Sequence, residues 1–392
     1  MSSRKFFPFP LTPLLLLVGI FYLSFIARII LAPLLPLVEQ DLGIGHGEAG
    51  SLFLFIASGY GAGLLLSGFV SGLLNHRRTI MLSALMVGVA VLIVSASTSI
   101  NGMRFGLVLA GIFAGFYIPS GLATLTNLTT PEHWGKILAI HELAPNLGFI
   151  TAPMLSEALL KFFPWRGVLA VLGLCSILMG GLFLLAGRGK EQGERPRLQS
   201  FYEIVANPSF WLMAAFFSVS IGSSMGIYTM MPLFLVSEIG IERGWANTLI
   251  GLSRMFGIVV LFSSGWITDR WGSQRAMTIF LTTTGLFTLL LGLLPGLVTT
   301  PLLLFLQASS TACLFPVGFT TLSLTFPSHL RSTAVSLVMF IGFLLGGGAI
   351  PPAIGYWAEA FSFSSGLFFL GVLFLCILPI FLRLRSRLAI PE

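Results

Sequence analysis

The sequence predicts an all-α membrane protein with twelve transmembrane helices in two pseudo-symmetric six-helix bundles. Of its 392 residues, 56% are hydrophobic and only 9% are charged, and the mean hydropathy is +0.97. A water-soluble domain of this length could not carry such a composition on its surface, so lipid is the expected solvent. The apolar residues fall into long runs, and the second half of the chain repeats landmarks of the first half.

The repeat is clearest in a short segment that carries glycines and charges. Residues 265–275 lie between two apolar runs, and a weaker copy occupies residues 68–78, which is 197 positions earlier. Pro36 and Pro232 repeat at nearly the same offset. A duplication of half a chain is typical of transporters built from two halves, whereas solenoids repeat every 20–50 residues or so.

About twenty apolar residues span the hydrocarbon core of a bilayer, and the chain offers twelve segments of about that length. In chain order, α1 to α12 are predicted at residues 14–38, 49–74, 79–97, 103–125, 136–159, 165–186, 210–235, 246–267, 276–294, 302–324, 333–358 and 366–384. The first segment is too long for the core of a signal peptide and is expected to remain as α1. The many glycines and prolines are tolerated in membrane helices, because neighbouring helices satisfy the backbone groups that they free.

Lysine and arginine determine the expected orientation. If both termini are cytoplasmic, most of the 21 basic residues lie on that side, as the positive-inside rule requires. The net charge of +7 is then explained by topology, and no nucleic-acid partner is expected. The long polar stretch at residues 188–205 is predicted to be a cytoplasmic linker between an N-terminal bundle, residues 1–187, and a C-terminal bundle, residues 206–392. A multi-pass protein of a prokaryotic inner membrane is expected.

The sequence carries no recognisable enzyme chemistry. Cys175, Cys313 and Cys376 all fall within predicted spans, so neither a disulfide framework nor a metal site is indicated. No nucleophile–base arrangement, phosphate-binding loop or cofactor motif is present. We therefore expect no catalytic residue, no metal, no cofactor and a monomer in the lipid bilayer.

The segment between α8 and α9 reads Gly-x-x-x-Asp-Arg-x-Gly-x-x-Arg. With twelve helices in two halves, this motif resembles the major facilitator superfamily over essentially the whole chain. The resemblance implies a secondary transporter that works by alternating access, and it leaves the substrate open. It also implies a conformational latch, which would comprise Gly265, Asp269, Arg270, Gly272 and Arg275.

Within this implied latch, Asp269 would meet the positive start of a helix in the other half, here α5, when the transporter is open to the outside. The earlier copy has Gly72 where the aspartate belongs and Leu73 where the arginine belongs. Its latch is therefore expected to be weak.

Charges that only one half carries are candidates for function, because features shared by both halves belong to the scaffold. Arg28 lies in α1, where the repeat has about Ser224, and Arg254 lies in α8, where the repeat has Ala57. Both fall near the middle of a core about 30 Å thick, where an arginine costs at least about 2.5–3.5 kcal/mol and usually faces a pathway. With few acids nearby, they predict an anionic substrate held by bidentate hydrogen bonds. The alternative is a structural ion pair or a cap on the carbonyls of a broken helix.

His141 and Glu142 in α5 are candidates for carrying a coupling proton, because a histidine titrates near neutral pH and a buried glutamate can retain a proton. Adjacent residues of a helix point about 100° apart, so at most one of the two is expected to face a cavity squarely. Pro145 and Pro153, which follow in the same segment, predict a bent helix. Arg28 with His141 also resembles the organophosphate antiporters of the superfamily, although the α7 arginine of that group is missing here.

Four further polar side chains at comparable depth are candidate substrate ligands. They are Tyr117 in α4, Asn146 in α5, Tyr228 in α7 and Gln307 in α10. Each of them is equally compatible with satisfying a neighbouring helix.

The favoured function is a secondary transporter for a small organic anion, most simply a carboxylate, driven by protons or by exchange with a counter-substrate. The alternative is a multidrug exporter, since 36 Phe and 13 Met could line an adaptable apolar pocket. The α5 signature of such exporters is represented only by Gly148, Ala152 and Pro153. A receptor or a membrane enzyme has no supporting motif.

Overall fold

The computed structural model describes residues 10–189, 191–193 and 198–384. In this part of the chain, ten helices are long and apolar enough to cross a membrane. They are α1 (Leu11–Leu42), α2 (His46–Leu74), α3 (His76–Ala96), α4 (Ile100–Asn127), α6 (Trp165–Ala186), α7 (Pro208–Glu238), α8 (Arg243–Trp271), α9 (Ser273–Leu293), α10 (Thr299–Thr325) and α11 (Thr333–Ala360). The sequence position of α5 holds two consecutive helices, Trp134–His141 and Leu143–Leu160, and α12 runs over Phe363–Leu384. The predicted twelve-helix fold is confirmed.

A short helix, Leu198–Val205, lies in the predicted linker and contacts α7 and the start of α11. The rest of the linker around residues 190 and 194–197, together with both termini, lies outside the described residues. The bundle boundaries at 187 and 206 and the cytoplasmic position of the termini therefore stay predictions.

Proline explains where four of the long helices break. The hydrogen-bonding pattern is interrupted three residues before Pro33, Pro119, Pro145 and Pro316. Proline has no N–H, so the carbonyl four residues earlier loses its helical partner. The breaks in α4 and α10 fall at Phe116 and Cys313, which are 197 positions apart. The internal repeat is thus visible in the backbone as well as in the sequence.

Two helices of the C-terminal half contain π-helical turns. They lie at Gly222–Gly226 and Phe234–Glu238 in α7 and at Phe343–Ala349 in α11. A β-carbon added to Gly226 would lie 2.6 Å from the carbonyl oxygen of Gly346, so the backbones of α7 and α11 touch where these turns meet. Such turns are frequent at functional sites, because they leave backbone groups unpaired inside the helix.

Helix packing repeats between the two halves. In the first half α2 packs on α4 and α3 packs on α6, and in the second half α8 packs on α10 and α9 packs on α12. Small residues permit the close approach: a β-carbon on Gly59 of α2 would lie 2.2 Å from the carbonyl oxygen of Val108 in α4. The halves meet mainly through three pairs of helices, α1 with α7, α2 with α11 and α5 with α8.

The two halves are in close contact at the end that carries the loops after α1, α7 and α11, here named the outer end. A β-carbon on Gly50 of α2 would lie 2.7 Å from the carbonyl oxygen of Pro351, and one on Gly355 of α11 would lie 2.2 Å from that of His46. The side chain of Glu359 accepts a hydrogen bond from the backbone N–H of Gly47 at 2.9 Å. The outer end is therefore sealed between α2 and α11.

A second seal joins α5 to α8 at the outer end. The carboxylate of Glu157 forms an ion pair with Arg243 and accepts a hydrogen bond from Nδ2 of Asn247 at 2.6 Å. Asn247 also donates to the carbonyl oxygen of Pro33 in α1 at 3.3 Å. Glu157 thus holds three helices from two halves together.

We expect Glu157→Gln to open the outer end. The change removes a charge from a partly exposed ion pair and weakens a hydrogen bond, which together cost about 1–2 kcal/mol and shift a two-state population roughly 5–30-fold. Spin labels at Lys161 and Val298, on a background without Cys175, Cys313 and Cys376, should report longer distances.

The matched control for this change is Glu242→Gln. The Glu242 carboxylate caps its own helix by accepting from the N–H groups of Gly244 and Trp245, and these bonds hold the pKa of that carboxyl below its usual value. These bonds do not cross between the two halves. The distances between spin labels in Glu242→Gln should therefore match those of the unmodified protein. Identical distributions in both variants would mean that Glu157 does not hold the seal.

Candidate functional site

Arg28 lies at the interface between the two halves and is only 4% exposed. Its guanidinium carbon lies 4.9 Å from the ring centre of Phe25 in α1 and 4.1 Å from that of Tyr60 in α2. The ring of Phe343, in the π-helical turn of α11, lies 5.4 Å away. Aromatic rings from both halves therefore surround this cation.

The hydrogen bonding of Arg28 is incomplete. Its Nε and Nη1 atoms are buried, and neither has a hydrogen-bond partner within the described chain. An aromatic face attracts a cation by about 0.5–2 kcal/mol, but it does not replace an acceptor, and each buried unpaired donor costs about 1–3 kcal/mol. Arg28 is therefore a buried cation with unused donors.

Arg254 has a different environment. Its guanidinium carbon lies 4.7 Å from the ring centre of Phe149 in α5 and 5.0 Å from that of Tyr228 in α7. Its Nη2 donates a hydrogen bond of 2.6 Å to the carbonyl oxygen of Ser224, within the π-helical turn of α7. This contact is the one expected of a cap on a broken helix, so part of Arg254 serves the backbone.

Gln307 completes the same turn from α10. Its Nε2 donates to the carbonyl oxygen of Ser223 at 2.9 Å, and the side chain is 1% exposed. The side-chain oxygen of Gln307 is buried and has no hydrogen-bond partner among the described residues. Gln307 and Arg254 thus hold neighbouring carbonyls of one π-helical turn.

A continuous group of rings joins the two arginines. Phe25 packs edge-on against Phe149 with ring centres 4.9 Å apart, and Phe149 packs in the same way against Tyr228. The steps from Arg28 to Phe25, to Phe149 and to Arg254 measure 4.9, 4.9 and 4.7 Å, which limits the distance between the two guanidinium carbons to about 15 Å. We name Phe25, Tyr60, Phe149, Tyr228 and Phe343 the aromatic layer.

His141 and Glu142 lie at the break in α5. The His141 ring is fully buried, whereas the Glu142 side chain is 58% exposed, and 3.3 Å separates Nδ1 from the carboxylate oxygen. Nε2 of His141 lies 3.0 Å from the hydroxyl of Tyr117, which donates to the carbonyl oxygen of Leu17 at 2.7 Å. One residue of the pair is thus packed and the other accessible, as the helical geometry predicts.

The six candidate ligands fall into separate groups. Arg28, Arg254 and Tyr228 meet at the aromatic layer, and Gln307 lies beside Arg254 across the π-helical turn. The remaining two lie elsewhere: Tyr117 is buried against His141, and Asn146 donates from Nδ2 to the carbonyl oxygen of Glu142 at 2.9 Å.

Sequence reasoning missed most of the aromatic layer. Phe25 precedes Arg28 by three residues, so the two share one face of α1, and this spacing could have been recognised. Phe149 and Phe343 belong to helices far away in the chain. No local spacing indicates them.

The implied latch lies at the other end of α8. Asp269 is exposed and forms no ion pair among the described residues, while Arg270 lies 5.6 Å from the ring centre of Trp266. Gly272 has a φ of +80°, which favours glycine, and Asn75 at the same position of the repeat has a φ of +74°. The turn and the last arginine, Arg275 and Arg78, are shared by both halves, whereas Asp269 and Arg270 have no charged counterpart in the first half.

Comparison with known proteins identifies the family. A family model described as Major Facilitator Superfamily matches residues 17–306 and 264–391. The chain is 22% identical over 289 residues to the multidrug resistance protein MdtL of Klebsiella pneumoniae (strain 342), covering 73% of each chain. It is 23% identical over 271 residues to a probable hexose phosphate transport protein of Chlamydia pneumoniae, covering 60% of this chain and 59% of that protein.

Solved structures show the same fold. A bacterial homolog of the human lysosomal transporter Spinster, inward-facing and occupied, superimposes with a TM-score of 0.79 at 17% identity over 98% of both chains. A D-xylose-proton symporter superimposes with a TM-score of 0.72 at 12% identity over 92% of this chain and 96% of that one. Because the family model matches almost the whole chain, this protein belongs to the major facilitator superfamily of multi-pass membrane transporters.

Proposed function

We propose that this secondary transporter moves a small organic anion, most simply a carboxylate, by alternating access of a site at the aromatic layer. The main observation in its favour is that two buried nitrogens of Arg28, at the junction of the two halves, lack hydrogen-bond partners within the described chain. A guanidinium presents donors in a geometry that suits carboxylates and phosphates. Binding of an anion there would supply the missing acceptors.

Charge balance supports the same cargo. Among the described residues, neither Arg28 nor Arg254 forms an ion pair with a carboxylate. Two cations in an apolar layer attract an anion strongly, because nearby water and counter-charges are scarce. A relative described as a probable hexose phosphate transport protein also has an anionic cargo by its name.

His141 and Glu142 are proposed to carry the coupling proton. The accessible carboxylate touches a buried imidazole, so a proton can reach the buried ring through Glu142.

A multidrug exporter is the second candidate. The relatives described as multidrug resistance proteins favour it, and the aromatic layer offers apolar area for hydrophobic cargo. A thermal-shift screen of the purified protein against small carboxylates, phosphate esters and cationic drugs separates the two functions, because a bound ligand raises the unfolding temperature. Stabilisation by cationic drugs alone would favour the exporter.

We further infer an inner-membrane location with cytoplasmic termini, which the basic residues and the bacterial relatives support. A monomer is proposed as the working unit.

We expect Arg28→Met to abolish anion uptake and yet stabilise the substrate-free protein. The change removes two unpaired buried donors and the cost of holding a charge in an apolar layer, and together these should exceed the cation–ring attraction that is lost. Arg28→Lys keeps the charge but loses the planar fork, so its apparent affinity should fall roughly 10–100-fold. Proteoliposome uptake and thermal unfolding measure both effects.

Arg254→Met should have the opposite effect on stability. It deprives the Ser224 carbonyl of its donor, so the unfolding temperature should fall. Uptake should depend on the charge at this position as well, with Arg254→Gln worse than Arg254→Lys. If both arginine-to-methionine variants lose stability and Arg28→Met retains uptake, Arg28 is a structural residue and the anion proposal fails.

We expect Glu142→Gln to remove proton-driven uptake by at least about tenfold while counterflow of the same anion continues, because exchange needs no net proton movement. Uptake under an imposed pH gradient and counterflow are measured on the same vesicles. Glu132→Gln, in the exposed loop before α5, is the matched control and should behave like the unmodified protein. Retention of gradient-driven uptake in Glu142→Gln would exclude the carboxylate as the proton carrier.

We expect Asp269→Asn to favour the inward-open state, because it weakens a contact between a charge and a helix dipole worth about 0.3–1 kcal/mol. Spin labels at Leu185 and Leu324 should show a larger fraction of long distances. An unchanged distribution would mean that Asp269 is only a surface charge.

A further inference from the structure

The hydroxyl of Tyr117 lies between a helix backbone and the proton site. It donates to the carbonyl oxygen of Leu17 in α1 at 2.7 Å, and it lies 3.0 Å from Nε2 of His141. Both side chains are fully buried, at 0% exposure. Water therefore does not compete for these two hydrogen bonds.

The hydrogen bonds of Tyr117 determine where the His141 ring carries a proton. A phenol has one proton, and the Leu17 carbonyl takes it, so the Tyr117 oxygen can only accept from His141. Nε2 of His141 must then carry a hydrogen. The 3.3 Å contact between Nδ1 and Glu142 needs one proton more, which lies either on the ring or on the carboxyl group. The His141–Glu142 pair thus shares a single proton.

One face of α1 connects this pair to Arg28. Leu17, Phe21, Phe25 and Arg28 follow at spacings of four, four and three residues, which places them on one side of the helix. The ring of Phe21 is stacked on that of His141, with centres 4.4 Å apart and planes 6° apart. Phe25 lies next to Arg28. A movement of α1 that follows anion binding would therefore disturb the contacts of His141 directly.

We propose that Tyr117 is a positioning residue that ties the tautomer of His141 to the position of α1, and so couples the shared proton to the helix that carries Arg28. The proposal rests on the proposed function, in which His141 and Glu142 carry the coupling proton. While α1 is in place, Nε2–H is held by Tyr117 and Nδ1 faces Glu142. When α1 moves, the Tyr117 hydroxyl loses its acceptor and His141 is free to change its protonation.

Few titratable groups lie close to His141 within the described chain. Among the described residues, Glu142 in α5 and Tyr117 in α4 are the titratable groups in contact with the ring, and α1 contributes the Leu17 carbonyl and the Phe21 ring. The nearby charged residues Glu132 and Lys136 are exposed, and His133 is partly buried eight positions before His141. A pH effect at this site is therefore attributable to the His141–Glu142 pair.

The test is the pH profile of gradient-driven uptake in Tyr117→Phe. A protonated imidazole needs two acceptors, and the variant provides one, whereas the neutral ring can move its only hydrogen to Nδ1 and lose nothing. The charged form is therefore disfavoured, and half-maximal uptake should move by about one pH unit toward acid. The apparent affinity for the anion at saturating proton concentration should stay within about twofold, because Arg28 is untouched.

Tyr22→Phe is the matched control. Its hydroxyl also joins α1 to α5, through a 2.7 Å hydrogen bond with Thr151, and no titratable group of the described chain takes part in that bond. Its pH profile should be unchanged. Phe21→Leu serves as a second variant, because loss of the stacked ring also disfavours a charged imidazole and should move the profile toward acid by a smaller amount. Nitrogen-15 spectra of labelled histidine report the tautomer independently of transport.

The outcomes separate the two proposals. If Glu142→Gln abolishes proton drive while Tyr117→Phe and Phe21→Leu keep the original profile, the role of Tyr117 is refuted and the proposed function stands. If Glu142→Gln keeps its proton drive, the proton site itself is wrong and the role of Tyr117 falls with it. An equal acid shift in Tyr22→Phe would also refute the proposal, since any weakened contact between α1 and α5 would then produce the effect.

Discussion

Lipid offers no hydrogen bonds, and this one constraint organises both the fold and the site. Every backbone carbonyl freed by a proline or a π-helical turn must find its donor inside the protein. In α7 the carbonyls of Ser223 and Ser224 receive hydrogen bonds from Gln307 and Arg254. Polar side chains that the sequence suggests as ligands can therefore serve to donate hydrogen bonds to backbone carbonyls. Polarity at mid-membrane depth does not by itself identify a binding residue.

Arg28 differs from this pattern. Like Arg254, it is buried and lies against aromatic rings, but two of its nitrogens lack acceptors within the described chain. A cation in this condition lowers stability, and such costs persist where function needs them. The asymmetry between Arg28 and Arg254 is therefore more informative than the presence of two central arginines.

The contacts between the halves are consistent with one stage of alternating access. At the outer end, Glu157 and Glu359 connect helices across the interface, and glycines bring the backbones of α2 and α11 together. At the other end of α8, Asp269 is exposed. The described part of the chain is therefore closed between the halves at the outer end, whereas Asp269 at the opposite end forms no ion pair within it. The aromatic layer lies between these two ends and receives residues from both halves.

The fold class, the number of helices, their bounds to within a few residues and the place of Arg28 and Arg254 near the middle of their helices could be predicted from the sequence alone. These features follow from hydropathy, from an offset of 197 residues and from the rise of a helix, all of which are properties of the chain read along its length. The break in α5 was also predictable, because Pro145 acts on a carbonyl four residues earlier. Three contacts became visible only in the folded protein: Tyr60 and Phe343 surround Arg28, Arg254 caps a turn of α7, and Tyr117 contacts His141. These contacts join helices that are far apart in sequence, and the local spacing of residues does not predict the angle at which helices pack.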